Sequence, residues 1–276
     1  MKKMLAALLI LLFLPVCALG DGLVAAKEDA ALAQALSLNG STQESRLDCL
    51  IRVILGEADA ALITQQELIE ALQGYAEGDV RTDIQAAAVL AQNDLYLVCS
   101  ADTARETGIS DLKSLRDYLI ENEYSLMLMR CFQASNADYA SLLLMEEMAF
   151  DSDIFVDEKD KTDQLASGAY VLCTDTEGAL ALAQDGYTVL GALTKERTAE
   201  FPDLPCAEEC GLPVIPGTCF LAVMQAGADP APYQNITIGE EDLAALHLHA
   251  PDPDFSLADT IASYVEYMTQ EGLFFY

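Results

Sequence analysis

Short apolar runs recur along the chain at 60–64, 84–90, 95–99, 126–129, 154–156, 170–173, 189–193 and 218–224, and helical spacing fills many of the gaps between them. This alternation limits the possible folds more than any other feature. An apolar run of about four to eight residues bounded by turn signals is a strand buried on both faces. Strands separated by helices of about ten to fifteen residues pair in parallel through right-handed crossovers. The expected class is therefore α/β.

Helix signals fit the same rhythm. Alanines and leucines at helical spacing over 25–36, with Lys27, Glu28 and Asp29 on the other face, predict one helix. A short strand at 36–38 ends at Asn39-Gly40, and Ser41-Thr42-Gln43-Glu44-Ser45 supplies a turn and caps for a helix over 46–56. Thr64-Gln65-Gln66-Glu67 opens another helix, Ser110-Asp111 caps one through Glu121, and Ser135-Asn136 caps one running to Met148. Further helices are expected near 162–166, 176–183 and 256–270, the last after a turn at Pro251-Asp252-Pro253-Asp254. No internal repeat or low-complexity linker interrupts the chain, so any two lobes must be joined by strands.

Charge narrows the function classes. Among 276 residues, 45 are acidic and 14 basic, for a formal net charge of −31, while an apolar share of 52% leaves ample material for one or two cores. A field of that sign repels phosphate backbones, which argues against nucleic-acid partners. Lys2 and Lys3 precede an apolar run over 4–14, and Pro15 leads to the small-residue exit Ala18-Leu19-Gly20. These are the parts of a secretory signal cleaved before Asp21. The run is too short for a spanning helix, which needs about 20 apolar residues. The mature chain is expected outside the cytoplasm, periplasmic or extracellular, with 12 basic and 45 acidic residues. Leu14-Pro15-Val16-Cys17 also has the outline of a lipobox, which makes a lipid anchor on Cys17 the alternative, although Val16 stands where a small residue belongs.

Seven cysteines remain beyond Cys17: Cys49, Cys99, Cys131, Cys173, Cys206, Cys210 and Cys219. An odd number spread over a large α/β chain reads as buried thiols, not a disulfide framework. Cys206 and Cys210 share a helical face at i, i+4 spacing, and without a second pair they too read as thiols. His247 and His249 alternate across Leu248 and read as surface histidines, lacking a third ligand in sequence. No nucleophile elbow, zinc-protease motif, P-loop or dinucleotide fingerprint is present, so neither an enzyme nor a cofactor or metal site is expected.

One stretch is more specific. Leu190-Gly191-Ala192-Leu193-Thr194, then Arg197, Phe201-Pro202-Asp203-Leu204-Pro205, and Glu209-Cys210-Gly211-Leu212-Pro213 resemble the signature of the tripartite tricarboxylate transporter receptors, the Bug family of periplasmic solute-binding proteins. That pattern is a strand ending in Thr, an Arg, Pro-Asp-x-Pro-Thr and Glu-x-Gly-Leu-Pro; here Cys206 replaces the Thr. The likeness extends to 95–102, Asp111-Leu112, the helix after Ser135, and Val156 with Lys159. It covers about three quarters of the mature chain. It implies a two-lobed periplasmic-binding-protein fold of the second type, with lobe 1 at 21–98 plus 222–276, lobe 2 at 99–221, and crossings at 95–99 and 218–224. It also implies capture of a small organic carboxylate or related polar metabolite, delivery to the membrane subunits of a tripartite transporter, and a monomeric state.

The departures are equally definite. The family's first strand and its Pro-Gly-Gly-Gly loop have no expected counterpart, leaving lobe 1 shortened. Arg130-Cys131-Phe132-Gln133-Ala134 stands where the family has a glycine-rich ligand loop. Candidate ligand-binding residues lie where strands pass into helices: Thr64, Gln65 and Gln66; Arg130, Ser135 and Asn136; Thr174, Asp175 and Thr176. Arg130 suits a bidentate bond to a ligand carboxylate, or pairing with a surface acid. Ser135 and Thr174 are also plain helix caps, and Asp175 also fits an acid in a helix's first turn. Two functions stand side by side: a working receptor, or a receptor-like descendant serving as a sensory or partner-binding module.

Overall fold

The computed structural model describes residues 22–36, 42–72, 84–131, 136–251, 256–259 and 261–262. The leader, Cys17, all but Leu36 of the strand expected at 36–38, Ser135, Asp252, Asp254 and most of the last helix lie outside them. In chain order the first elements are β1 (Leu23–Ala26), α1 (Ala30–Ala35), β2 (Thr42–Gln43), α2 (Arg46–Ile54), β3 (Ala60–Thr64), α3 (Gln65–Leu72) and β4 (Ile84–Gln92). Then come β5 (Leu95–Cys99), α4 (Ala101–Thr107), α5 (Leu112–Glu121), β6 (Met127–Arg130), α6 (Asn136–Glu147), β7 (Asp153–Phe155), α7 (Lys161–Ser167) and β8 (Tyr170–Asp175). The chain continues through α8 (Thr176–Gln184), β9 (Thr188–Ala192), α9 (Ala207–Cys210), β10 (Cys219–Gln225), α10 (Ala231–Gln234) and α11 (Glu240–Ala245). No described helix is long and apolar enough to cross a membrane.

Packing divides the described chain into two units. Unit 1 holds the residues up to Leu90 with Phe220–Gly239, and unit 2 holds Ala91–Cys219 with the residues from Glu240 onward. The chain therefore passes between units three times, within β4, at the start of β10 and between Gly239 and Glu240. β5, expected as a crossing, is instead an inner strand of the second sheet.

The sheet of unit 1 has the order β2-β1-β3-β10-β4. β1 pairs in parallel with β2 and β3, while β10 runs antiparallel to β3. The strand thought absent is thus present. Leu23–Ala26 is buried at all four positions between two partners, and the expected single helix over 25–36 is a strand, a 3-10 turn at Lys27–Asp29 and the short α1. Alanine spacing suits a helix, but pairing on both edges outweighs so weak a local preference. α2 follows the expectation closely: Ser45 accepts the Asp48 N–H at 3.1 Å and starts it.

The sheet of unit 2 has the order β7-β6-β8-β5-β9. β6 runs parallel to β7 and β8, but β5 runs antiparallel to both β8 and β9, so both sheets are mixed and not purely parallel. β5 is buried at every position, and its side chains alternate between two cores. Leu95, Leu97 and Cys99 face α5, α6 and α9 through Leu112, Leu115, Leu119, Ala140, Leu144 and Ala207. Tyr96 and Val98 join the other core with Leu165 of α7 and Ala179 and Leu182 of α8. Helices on both faces explain why these strands read as unbroken apolar runs.

The motif behind the family resemblance has a structural role here. Arg197 donates through Nε to both carboxylate oxygens of Glu209, at 3.1 and 2.9 Å, and through Nη1 to the Pro202 carbonyl at 3.3 Å. Glu209 accepts the Cys206 N–H at 3.2 Å and begins α9, and its carboxyl is held below the ordinary range chiefly by Arg197. The loop after β9 is fastened by its own signature residues.

Candidate functional site

In unit 2 the strand directions create one edge where ligand-binding groups can collect. β6, β7 and β8 end there, β9 ends there because it opposes β5, and β5 begins there with Leu95 opposite Asp175. Helices α6 and α8 start from that edge, pointing N-terminal N–H groups toward it, the usual location of ligand sites in open α/β sheets.

Two turns bring the edge together. Asn93 donates its backbone N–H to the Thr218 carbonyl at 3.1 Å and accepts the Thr218 N–H on Oδ1 at 2.8 Å. A Cβ on Gly217 would collide with the Asn93 carbonyl, so only glycine permits that approach. Asn136, at the start of α6, donates Nδ2–H to the Gly217 carbonyl at 2.8 Å. Thr176, at the start of α8, accepts the Asp94 N–H at 3.2 Å. Asn136 and Thr176 are therefore brought to one place around Asn93, Asp94 and Gly217. Asp175 sits beside them and caps α8 by accepting the Gly178 N–H at 2.8 Å, and buried Thr174 packs its hydroxyl under the same first turn.

Arg130 ends β6, with its Nε–H donated to Asp138 at 2.5 Å and Nη1 donated to Asp153. Burial opposes its charge, but the two carboxylates outweigh it and hold the guanidinium above its ordinary pKa. Where a surface acid was the alternative partner foreseen for Arg130, the guanidinium meets one buried acid, Asp138, and one partly exposed acid, Asp153.

Thr64, Gln65 and Gln66 lie in unit 1, at the passage from β3 to α3. Thr64 gives its N–H to Glu67 Oε2 at 2.9 Å and its hydroxyl to the same oxygen. Arg46, at the start of α2, lies 3.3 Å from Glu67, donates twice to Asp29 at 2.8 Å, and stacks 5.9 Å over the Phe220 ring. Burial works against this charge too, and the surrounding acids push its pKa above the usual value. Arg46 and Arg130 are thus both paired with carboxylates of the chain itself.

The remaining candidates sort plainly. Lys159 pairs with Asp157 at 3.2 Å on an exposed loop. All seven described cysteines are buried and free, and burial pushes the thiols of Cys49, Cys99 and Cys219 up to about 12, 11 and 12, which removes them as nucleophiles. Among the described residues no three metal-ligating side chains cluster.

His249 carries more than its sequence suggested. Its backbone exchanges both hydrogen bonds with Gln92, at 3.0 and 2.9 Å. The ring places Nδ1 2.8 Å from the Ala250 carbonyl and Nε2 2.9 Å from Asp94 Oδ1. Both partners only accept, so the imidazole satisfies them only with a proton on each nitrogen, and the Asp94 bond is the first cause of its raised pKa. His247 lies 3.5 Å from Glu200. Gln92, Asp94, Glu200 and the His249 clasp escaped the sequence reading; their only signal was an Asn-Asp turn between two strands.

No family model matches the sequence, and no curated protein sequence matches it. Solved structures do match. A TctC solute-binding protein from Polaromonas superposes with a TM-score of 0.64 at 13% identity, covering 93% of this chain and 99% of that one. MatC from Rhodopseudomonas palustris, solved with malate, gives 0.56 at 16% identity over 93% and 98% of the two chains. An R. palustris protein solved with adipate gives 0.58 at 13% identity over 94% and 96%. The chain has the fold of the TctC and Bug periplasmic binding proteins along nearly its whole length.

Proposed function

We propose that the chain is an exported solute-binding protein that captures a small polar organic metabolite, with organic carboxylates the first class to test, and presents it to membrane subunits of a tripartite transporter. The observation that supports this reading most is the edge of unit 2, where α6 and α8 begin beside Asn136, Asp175 and Thr176 in a chain with a solute-binding-protein fold. Helix N-termini and short polar side chains suit recognition of a small polar ligand. The working state in this reading is a monomer, freed from its leader before Asp21. The TctC protein that shares the fold is a solute-binding protein, which supports this reading.

A second reading follows from a specific observation. Asp29 and Glu67 around Arg46, and Asp138 and Asp153 around Arg130, already pair these two largely buried arginines. A receptor-like protein that binds a partner instead of a carboxylate would look like this. A thermal-shift screen separates the two readings, using dicarboxylates, tricarboxylates, aromatic acids, amino acids and amides. A ligand at 100 times its Kd stabilises by about 2.7 kcal/mol, a readily visible shift in Tm. A saturable hit lost in Asn136→Ala supports the receptor; silence across the panel from a well-folded sample favours the partner-binding module.

A further inference from the structure

The two histidines of the chain stand together on one short segment of unit 2, where the chain leaves α11. α11 closes in a Schellman turn: His247 donates its N–H to the Ala244 carbonyl at 3.1 Å, and Leu248 donates to the Leu243 carbonyl at 2.9 Å. His247 takes the left-handed position of that turn, with φ at 53°, where glycine is the usual residue. The turn sends the chain back to β4, where His249 makes an isolated antiparallel bridge with Gln92. His247, Leu248 and His249 thereby form one wall of a cavity of about 790 Å3, whose other walls come from Gln92, the segment after β9 and residues 214–217.

A single bridge is a weak fastening, and the His249 ring decides how well it holds. Nε2 faces Asp94 Oδ1 on the neighbouring turn, and Nδ1 faces the Ala250 carbonyl. The imidazolium donates to both acceptors, whereas the neutral ring has one proton and turns a lone pair toward the acceptor that it leaves. The His249 side chain is 42% exposed, so its proton exchanges with solvent, while Asp94, at 15%, supplies a mostly buried counter-charge. Glu200, from the segment after β9, also acts on this ring and lies 3.5 Å from His247. Lys195, Glu196, Arg197 and Asp259 share the cavity lining, with Arg197 held by Glu209 and Pro202. The acids of α11 itself, Glu240, Glu241 and Asp242, stand in its first turn, at the end away from the histidines. The Asp94 hydrogen bond leads the effects that raise the ring's pKa above the ordinary 6.5.

We propose that residues 247–250 are a proton-controlled strap, fastened to the end of β4 while the His249 ring carries both protons and released when one of them leaves. One wall of the cavity then depends on pH: it is held below the ring's midpoint and loosened above it. The inference needs no ligand, so it stands or falls apart from the proposed uptake.

The test is amide hydrogen exchange by NMR on the full chain, with the His249 midpoint read from its ring nitrogens. His247→Asn, which keeps a residue tolerant of the left-handed region, assigns the two rings. Protection of the Gln92 and His249 amides, corrected for intrinsic exchange, is expected to fall by roughly threefold or more between pH 6 and one unit above that midpoint. It is expected to stay below the protection of the Leu97 amide in β5 throughout, which separates release of the strap from unfolding of unit 2. Asp94→Asn keeps the backbone of the turn and should lower the midpoint and abolish the fall. If that variant folds poorly, His249→Gln decides, because without a titrating ring the protection must stay level over the same range. Protection that is flat across the midpoint in the parent chain, a midpoint unchanged in Asp94→Asn, a fall that persists in His249→Gln, or strap amides as protected as Leu97 at every pH overturns the proposal.

Discussion

Arg130 shows how one buried charge is settled by its neighbours. Its side chain is 12% exposed and Asp138's is 2% exposed, and Asp153 gives the guanidinium a second carboxylate. Removing one member of such a pair leaves an uncompensated buried charge, which costs about 3–5 kcal/mol. Arg130→Ala is accordingly expected to lower the unfolding free energy measured by urea titration by an amount in that range, and a loss under about 1 kcal/mol would show the pair to be weak. His249 gives a pH-dependent counterpart. Its pKa in the fold is raised from 6.5 by the Asp94 hydrogen bond, so the protonated form is favoured by folding. The stabilisation is complete below pH 6.5 and is lost as pH rises through the raised value. Unfolding free energy should therefore fall as pH rises above 6.5, and His249→Gln should flatten that part of the profile. At this scale the sequence revealed residue types and not partners: Arg130 was visible as a rare cation, but not that Asp138, eight positions along the chain, would pair with it.

Among the elements, those governed by local signals were the most legible. α5 begins at a capping box in which Asp111 accepts the Ser114 N–H at 2.7 Å and the Ser114 hydroxyl accepts the Asp111 N–H at 2.9 Å. Asp111→Ala should destabilise unit 2 by about 1 kcal/mol, read as a shift in the denaturation midpoint. β1 is the opposite case. Leu-Val-Ala-Ala has no strong preference, and only the parallel ladders Leu23↔Ala60 and Ala25↔Thr42 make it a strand. The direction of β5 was likewise illegible, because an apolar run buried on both faces looks the same whether its neighbours run with it or against it. α2 carries a second lesson. It buries Cys49, Leu50 and Val53 yet leaves Leu47, Ile51 and, just after it, Leu55 exposed, so apolar spacing alone does not say which face meets the core.

Across the whole molecule, 45 acidic against 14 basic residues make self-repulsion a persistent load on the folded state. Because screening shortens from about 30 Å at 0.01 M salt to about 8 Å at 0.15 M, Tm should rise as sodium chloride increases over that range. A flat response would mean that local ion pairs, such as those of Arg46 and Arg130, already balance the field. The sequence by itself determined the α/β class, the order of most strands and helices, the free thiols and the family likeness carried by Arg197, the Pro-Asp-Leu-Pro run and Glu209. These depend on local periodicity, caps and composition, which act over a few residues. Only the tertiary structure decided that Leu23–Ala26 is a strand, that β5 runs antiparallel, that internal carboxylates occupy both buried cations, and that His249 reaches Asp94 across 155 residues of chain. Those outcomes depend on which distant groups the fold brings within hydrogen-bonding reach, and that proximity has no local signal.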